Sequence, residues 1–284
     1  MSCVEAAVLP ATLQLGPVHL TVRSVDRSVD WYGTALGLRL RRRDAGEAEL
    51  GDAAVTVVHL HEDGDARPAG RHAGLYHYAL LFPNRQELAR AVLRVSAAQA
   101  PVQGFSDHGT HEAIYLPDPD GNGIELAADR PRERWPTEPY GHGPAPLDVK
   151  ALLATVDGDA PGPTVGDGLR IGHMHLHVGD IAEALAFYCD ALGFELQFNL
   201  GTAAFVSAGG YHHHVGLNVW QGHGVGPPPP HTVGLDHWTV ALPSAEDVAE
   251  VRARVERAGY AAEALAGGFR VRDPWQLAAD FVSP

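Results

Sequence analysis

Three segments set a metal-binding residue type between apolar neighbours: His19 in VHLTV, His77 in HYALLF and Glu125 in GIEL. Successive side chains of a strand face opposite ways, so Val18, Leu20 and Val22 share an apolar face and leave His19 with Thr21 on the other. Ile124 and Leu126 flank Glu125 in the same way, and His77 shares its face with the small Ala79. Two imidazoles and one carboxylate converging from three strands are the open-sided donor set that suits non-haem Fe(II) in oxygen chemistry, and Mn(II) or Zn(II) accept the same ligands. The stretch HGTHEAIYLPDPDGNGIEL, residues 108 to 126, ends on that Glu125. Its DPDGNG core reads as a tight turn, but turn chemistry does not account for His108, Tyr115 and Glu125 at their spacings.

The elements that must carry these residues occur twice. GPVHLTVRSVDRSVDWYGTALGLRL from Gly16 aligns without a gap with GHMHLHVGDIAEALAFYCDALGFEL from Gly172, an offset of 156 residues that pairs His19 with His175, Tyr32 with Tyr188 and Gly37 with Gly193. Further on, GLYHYALLF and GLDHWTVAL pair His77 with His237. Each copy opens with an alternating strand. A helix follows, with Val25, Val29, Tyr32 and Leu36 at helical spacing, Ser24 as N-cap and Gly37 as terminator; the second copy repeats this with Ile181, Leu185, Tyr188 and Leu192 behind a capping box of Asp180 and Glu183. Short strands such as AVTVVHL complete the unit, and the pattern restarts at HYALLF, so each copy is two β-α-β-β-β modules. DRPRERWPTEPYGHGPAPLDV reads as an exposed connector between the copies, which gives expected domains at 12–130 and 169–284 with a linker over 131–168. GHGVGPPPPHTVG reads as a rigid surface loop.

Composition narrows the partners. The 284 residues carry 35 acidic against 21 basic side chains, net charge -14; such a surface repels phosphate backbones and anionic lipid, so a small neutral or aromatic ligand is favoured over nucleic acid or membrane. Two cysteines, Cys3 and Cys189, make no disulfide framework, and no segment has a leader pattern or a membrane span. A cytoplasmic protein is expected, with several assemblies open to it, a homo-oligomer among them.

The modules and motifs VHLTV, GLYHYALL and DPDGNGIEL resemble the vicinal oxygen chelate (glyoxalase/bleomycin resistance/extradiol dioxygenase) superfamily, and within it the two-domain extradiol enzymes of the catechol 2,3-dioxygenase type. The resemblance covers nearly the whole chain. It implies an α+β fold of two tandem domains, each of paired β-α-β-β-β modules forming a cupped mixed sheet. It also implies a metal held by His19, His77 and Glu125, with Fe(II) first and Mn(II) or Zn(II) as alternatives. His108, Ile114, Tyr115, Asp118, Pro119, Gly121 and Glu125 meet the extradiol motif; Ser106 departs from it at a place that bears on loop conformation. By the same resemblance Tyr115 hydrogen-bonds a substrate hydroxyl and His108 acts behind it. A further acid/base histidine is implied in the last strand of the first module, where His59 and His61 share a face and stay undistinguished. The implied reaction is cleavage of a catechol-type diol by O2. A glyoxalase-like lyase or isomerase needs one more carboxylate, for which AVTVVHLHE offers only Glu62, and an antibiotic-binding protein needs no metal triad.

The second copy keeps His175 and His237, but its counterpart of Glu125 is Asp280, Arg270 replaces Tyr115, and no histidine answers to His108. It reads as a degenerate copy, with His175, His237 and Asp280 as a doubtful second metal set. YHHHVGLNVW adds His212, His213 and His214, of which the first and third share a face; they receive no role.

Overall fold

A computed structural model of the chain describes residues 8–137, 143–156 and 161–283. Cys3 and parts of the expected linker, 138–142 and 157–160, lie outside the described residues.

Four modules follow one another. The first holds β1 (Gln14–Val22), α1 (Val25–Trp31), β2 (Arg39–Asp44), β3 (Glu47–Gly51) and β4 (Thr56–Glu62). The second holds β5 (Gly74–Phe82), α2 (Arg85–Ala97), β6 (Gly104–Asp107), β7 (His111–Pro117) and β8 (Gly123–Asp129). After β9 (Ala145–Pro146) and α3 (Val149–Leu153) come β10 (Arg170–His177), α4 (Ile181–Leu185), β11 (Glu195–Asn199), β12 (Ala203–Ser207) and β13 (Val215–Asn218). The fourth holds β14 (Gly234–Ala241), α5 (Ala245–Arg257), β15 (Glu263–Leu265), β16 (Gly268–Arg272) and β17 (Ala278–Val282).

Local signals act where expected. Ser24 accepts from Arg27 N and Asp180 from Glu183 N, capping α1 and α4. Both helices run on through a π-helical turn, Tyr32–Leu36 and Ala186–Ala191; Gly37, at φ +75°, takes the left-handed conformation that ends the first. In β1, Val18, Leu20 and Val22 are fully buried, each worth about 1.5–3 kcal/mol of transfer free energy.

Within every module the first strand pairs in parallel with the last: β1 with β4, β5 with β8, β10 with β13, β14 with β17. Between modules the pairing crosses the repeats. β1 runs antiparallel to β14, with His19 opposite His237, and β5 runs antiparallel to β10, with His77 opposite His175. The pairing gives two cupped sheets, one of the first and fourth modules and one of the second and third, joined where β1 meets β10 at Leu15 and Ile171; the two tandem copies are present as expected, while the pairing of modules within each copy gives way to pairing across copies. All four leading strands share one pattern, and nothing local to them selects a neighbour.

Buried polar staples tie each repeat together across the two sheets. Tyr32 Oη donates to Asp118 Oδ2 (3.1 Å), and Tyr188 Oη to Asp273 Oδ2 (3.2 Å). Asp118 Oδ1 also accepts from the backbone of Asp120 and Asn122, and Asp273 Oδ1 from Trp275 and Leu277. Burial raises both acids, Asp273 to about 7, although these hydrogen bonds pull the other way. The connector is more packed than its composition suggests: Leu152 and Val156 are buried where α3 meets α2.

Candidate metal centre

The cup of the second and third modules gathers the donors. Glu125 stands on β8, paired with Tyr115 of β7 and Ala79 of β5, and is buried to 1% exposure. Its Oε2 lies 3.1 Å from His77 Nε2 and 3.2 Å from His173 Nε2, and those two nitrogens are 3.3 Å apart. Oε1 has His111 Nε2 at 3.1 Å, off the line of a hydrogen bond, and is left a buried oxygen with no such partner. A cation with bonds near 2.0–2.2 Å and right angles between them holds its donors about 3 Å apart. His77, His173 and Glu125 fit that spacing, and the orphaned Oε1 fits a carboxylate arranged for more than hydrogen bonding. Burial would raise the Glu125 pKa; the field of His173 and the contacts of His111, His173 and His77 overcome it and hold the carboxyl well below its usual range.

His173 is the residue that sequence reasoning missed. The repeat alignment placed Pro17 at its position in the first copy and drew attention to His175 instead. Register slips between Ile171 and Met174 where β10 meets β5, and such an irregularity re-aims the side chain it carries. The available signal was HMHLH, which sets His173, His175 and His177 on one face.

His19 does not join His77 and Glu125. β1 belongs to the other sheet, where His19 groups with His59 and His61 of β4. His19 Nδ1 is 3.1 Å from His61 Nε2, and its ring stacks on that of His237 at 3.7 Å between centroids. Burial, then the neighbouring His237, His59 and His61, lower the His19 pKa to about 2. The doubtful second set is divided too: His175 flanks His77, while His237 stays with Asp280 at 3.5 Å. Asp280 is clamped by Arg270 Nε at 2.6 Å and Nη2 at 2.8 Å, which occupies the oxygens a metal would need.

A cavity of about 350 Å³ opens on the candidate centre. Its polar lining includes His77, His108, His111, Tyr115 and Glu125, and Tyr76, Leu200, Phe205 and Trp220 supply apolar and aromatic surface. His108 Nε2 and Tyr115 Oη are 2.8 Å apart, which brings together two residues of the expected motif. Burial, then the neighbouring His111, lower His108 to about 4, so its ring is neutral at pH 7. Of the unassigned triplet, His213 lines the cavity with its ring 4.1 Å from that of His173, and His212 Nε2 meets Asp129 Oδ1 at 3.1 Å. His214 Nδ1 accepts from Ala208 N.

Fold and motif together define the class. The sequence profile described as the Glyoxalase/Bleomycin resistance protein/Dioxygenase superfamily matches residues 14–126 and 170–269, and the chain belongs to that superfamily. It is 42% identical over 268 residues to a protein of Bacillus subtilis (strain 168) named catechol-2,3-dioxygenase, covering 92% of this chain and 93% of that one. Among solved structures, a candidate dioxygenase from Bacillus subtilis subsp. subtilis str. 168 superposes with a TM-score of 0.64 at 15% identity, over 98% of this chain and 86% of that one. Glyoxalase I from Zea mays gives 0.59 at 16% identity, over 96% and 92%. At those identities the two structures speak to the fold. Among the described residues no helix is long and apolar enough to cross a membrane.

Proposed function

We propose that the protein is an extradiol ring-cleaving dioxygenase that opens a catechol-type aromatic diol with O2 at a metal held by His77, His173 and Glu125, with Fe(II) as the resident ion. The observation that carries the reading is the triangle of two imidazole nitrogens and one carboxylate oxygen, 3.1 to 3.3 Å on a side, of which His77 and Glu125 line a cavity rich in aromatic side chains. A relative named catechol-2,3-dioxygenase at 42% identity supports it. When bound, the metal would bring the diol and O2 to adjacent positions and pass electron density between them.

The chain's own groups do the rest. Tyr76, Phe205 and Trp220 offer faces and edges that suit a flat ring and keep water from it. With His108 Nε2 accepting from Tyr115 Oη, the tyrosine oxygen keeps lone pairs to receive a substrate hydroxyl proton. His213, beside His173, takes the acid/base place that the sequence assigned to His59 or His61. Among the described residues the cavity lining carries one carboxylate, Glu125, which favours oxygen chemistry over a glyoxalase-like isomerisation. A reducing, cytoplasmic setting suits both Fe(II) and the free thiol of Cys189.

The test is anaerobic reconstitution with Fe(II), then a catechol panel with O2, reading oxygen uptake and the yellow ring-opened product. Absence of turnover across the panel, with iron shown bound and lost in His77→Ala, would overturn the proposal.

A further inference from the structure

The sheet that does not hold the candidate centre has a donor set of its own. β1 and β4 are parallel neighbours with His19 opposite His59 and Thr21 opposite His61, so alternation turns all three imidazoles to the same face. One nitrogen of each lies within 4.8 Å of the others, and His19 Nδ1 to His61 Nε2 is 3.1 Å. We propose that His19, His59 and His61 form a second divalent-cation site, suited to Zn(II), independent of the ring-cleaving centre.

Three features argue for a site built to bind. First, the outer carboxylate is present: Glu47 on β3 sets Oε1 3.4 Å from His61 Nδ1 and Oε2 3.5 Å from His59 Nε2, and a carboxylate behind a histidine fixes the tautomer and raises ligand basicity. Second, tetrahedral zinc with bonds of about 2.0–2.1 Å spaces its ligands about 3.3 Å apart. The His19 to His61 separation is close to that, and a side-chain rotation of the partly exposed His59, which lies within 4.8 Å of both, closes the other two edges. Third, the place is one that the fold repeats: His19 on β1 and His61 opposite Thr21 on β4 hold the module positions that His77 on β5 and Glu125 opposite Ala79 on β8 hold in the candidate centre, whereas Asp280 of this sheet is already clamped by Arg270.

Three imidazole donors with no thiolate and an open fourth position select a borderline ion such as Zn(II), Cu(II) or Ni(II) over Mg(II) or Ca(II). His237, stacked on His19 and held by Asp236 at 2.5 Å, walls the side toward β14.

The experiment counts metal. The purified full-length protein is equilibrated with Zn(II), freed of excess by gel filtration and measured for total metal per chain, alongside His61→Ala, His59→Gln and His77→Ala, each checked for folding by circular dichroism. The expected result is one equivalent fewer in His61→Ala and in His59→Gln than in wild type, and a separate loss of one in His77→Ala. Zinc content unchanged in both His61→Ala and His59→Gln would overturn the second site. Ring cleavage is assayed in parallel, so failure of the proposed activity is read separately from failure of this site.

Discussion

Replacing His173 by alanine separates the geometric assignment from the one the repeat alignment suggests. The candidate centre has three protein donors, and the substitution leaves His77 and Glu125. Loss of an outer partner typically costs about 10- to 100-fold in metal affinity, so loss of a direct donor is expected to exceed that. The metal-free protein also changes. Glu125 is fully buried and loses a charge-assisted contact of 3.2 Å, worth about 1.5–3 kcal/mol. For a chain of this size that is a fall of about 3–5 °C in Tm. Affinity is read from initial ring-cleavage rates as Fe(II) is titrated in under anaerobic loading, and Tm from thermal unfolding in chelator. His19→Ala is expected to lower turnover far less, because its ring lies in the other sheet. Equal losses in the two variants, or a His173→Ala affinity within about ten-fold of wild type, would refute the reasoning.

Three further outcomes follow from the packing. Tyr188→Phe removes the donor to Asp273 Oδ2 and should lower stability by about 1–3 kcal/mol in denaturant titration; an unchanged midpoint would mean the staple carries nothing. Asp273, raised from 3.8 to about 7, binds more protons folded than unfolded between those values, so its contribution weakens as pH rises from about 4 through about 7. Asp273→Asn should therefore gain stability relative to wild type between pH 5 and pH 8, and a constant difference in Tm across that range would contradict the burial argument. Gly123→Ala would place a Cβ 2.0 Å from Tyr76 O, a backbone atom. The start of β8 must shift, and turnover should fall at least about ten-fold as Glu125 moves, with overpacking costing about 1–3 kcal/mol; wild-type kinetics would show that the strand absorbs the strain.

What the sequence made legible was local. Ser24 and Asp180 announce their helices, Gly37 ends one, and alternation puts His77 and Glu125 on the concave face because each decision involves only a few neighbouring residues. His108 and Tyr115 were found together for the same reason, since the β6–β7 hairpin closes over a short loop. His173 and His213 were not, because their membership depends on β5 choosing β10 over β1, a pairing between segments far apart in the chain. His111 carries no local signal either: it lies against Glu125 Oε1, a contact that exists only once β7 and β8 have paired.

The crossing of strands between repeats has a historical reading. Two separate copies of a single repeat, exchanging modules, would assemble the same pair of sheets with two equivalent pockets, each completed by the other chain. Joining the copies end to end removes that obligation of symmetry. One pocket is then free to keep its glutamate and tyrosine while the other accumulates Pro17, Arg270 and Asp280, and the duplicated half becomes raw material for a different chemistry without endangering the first.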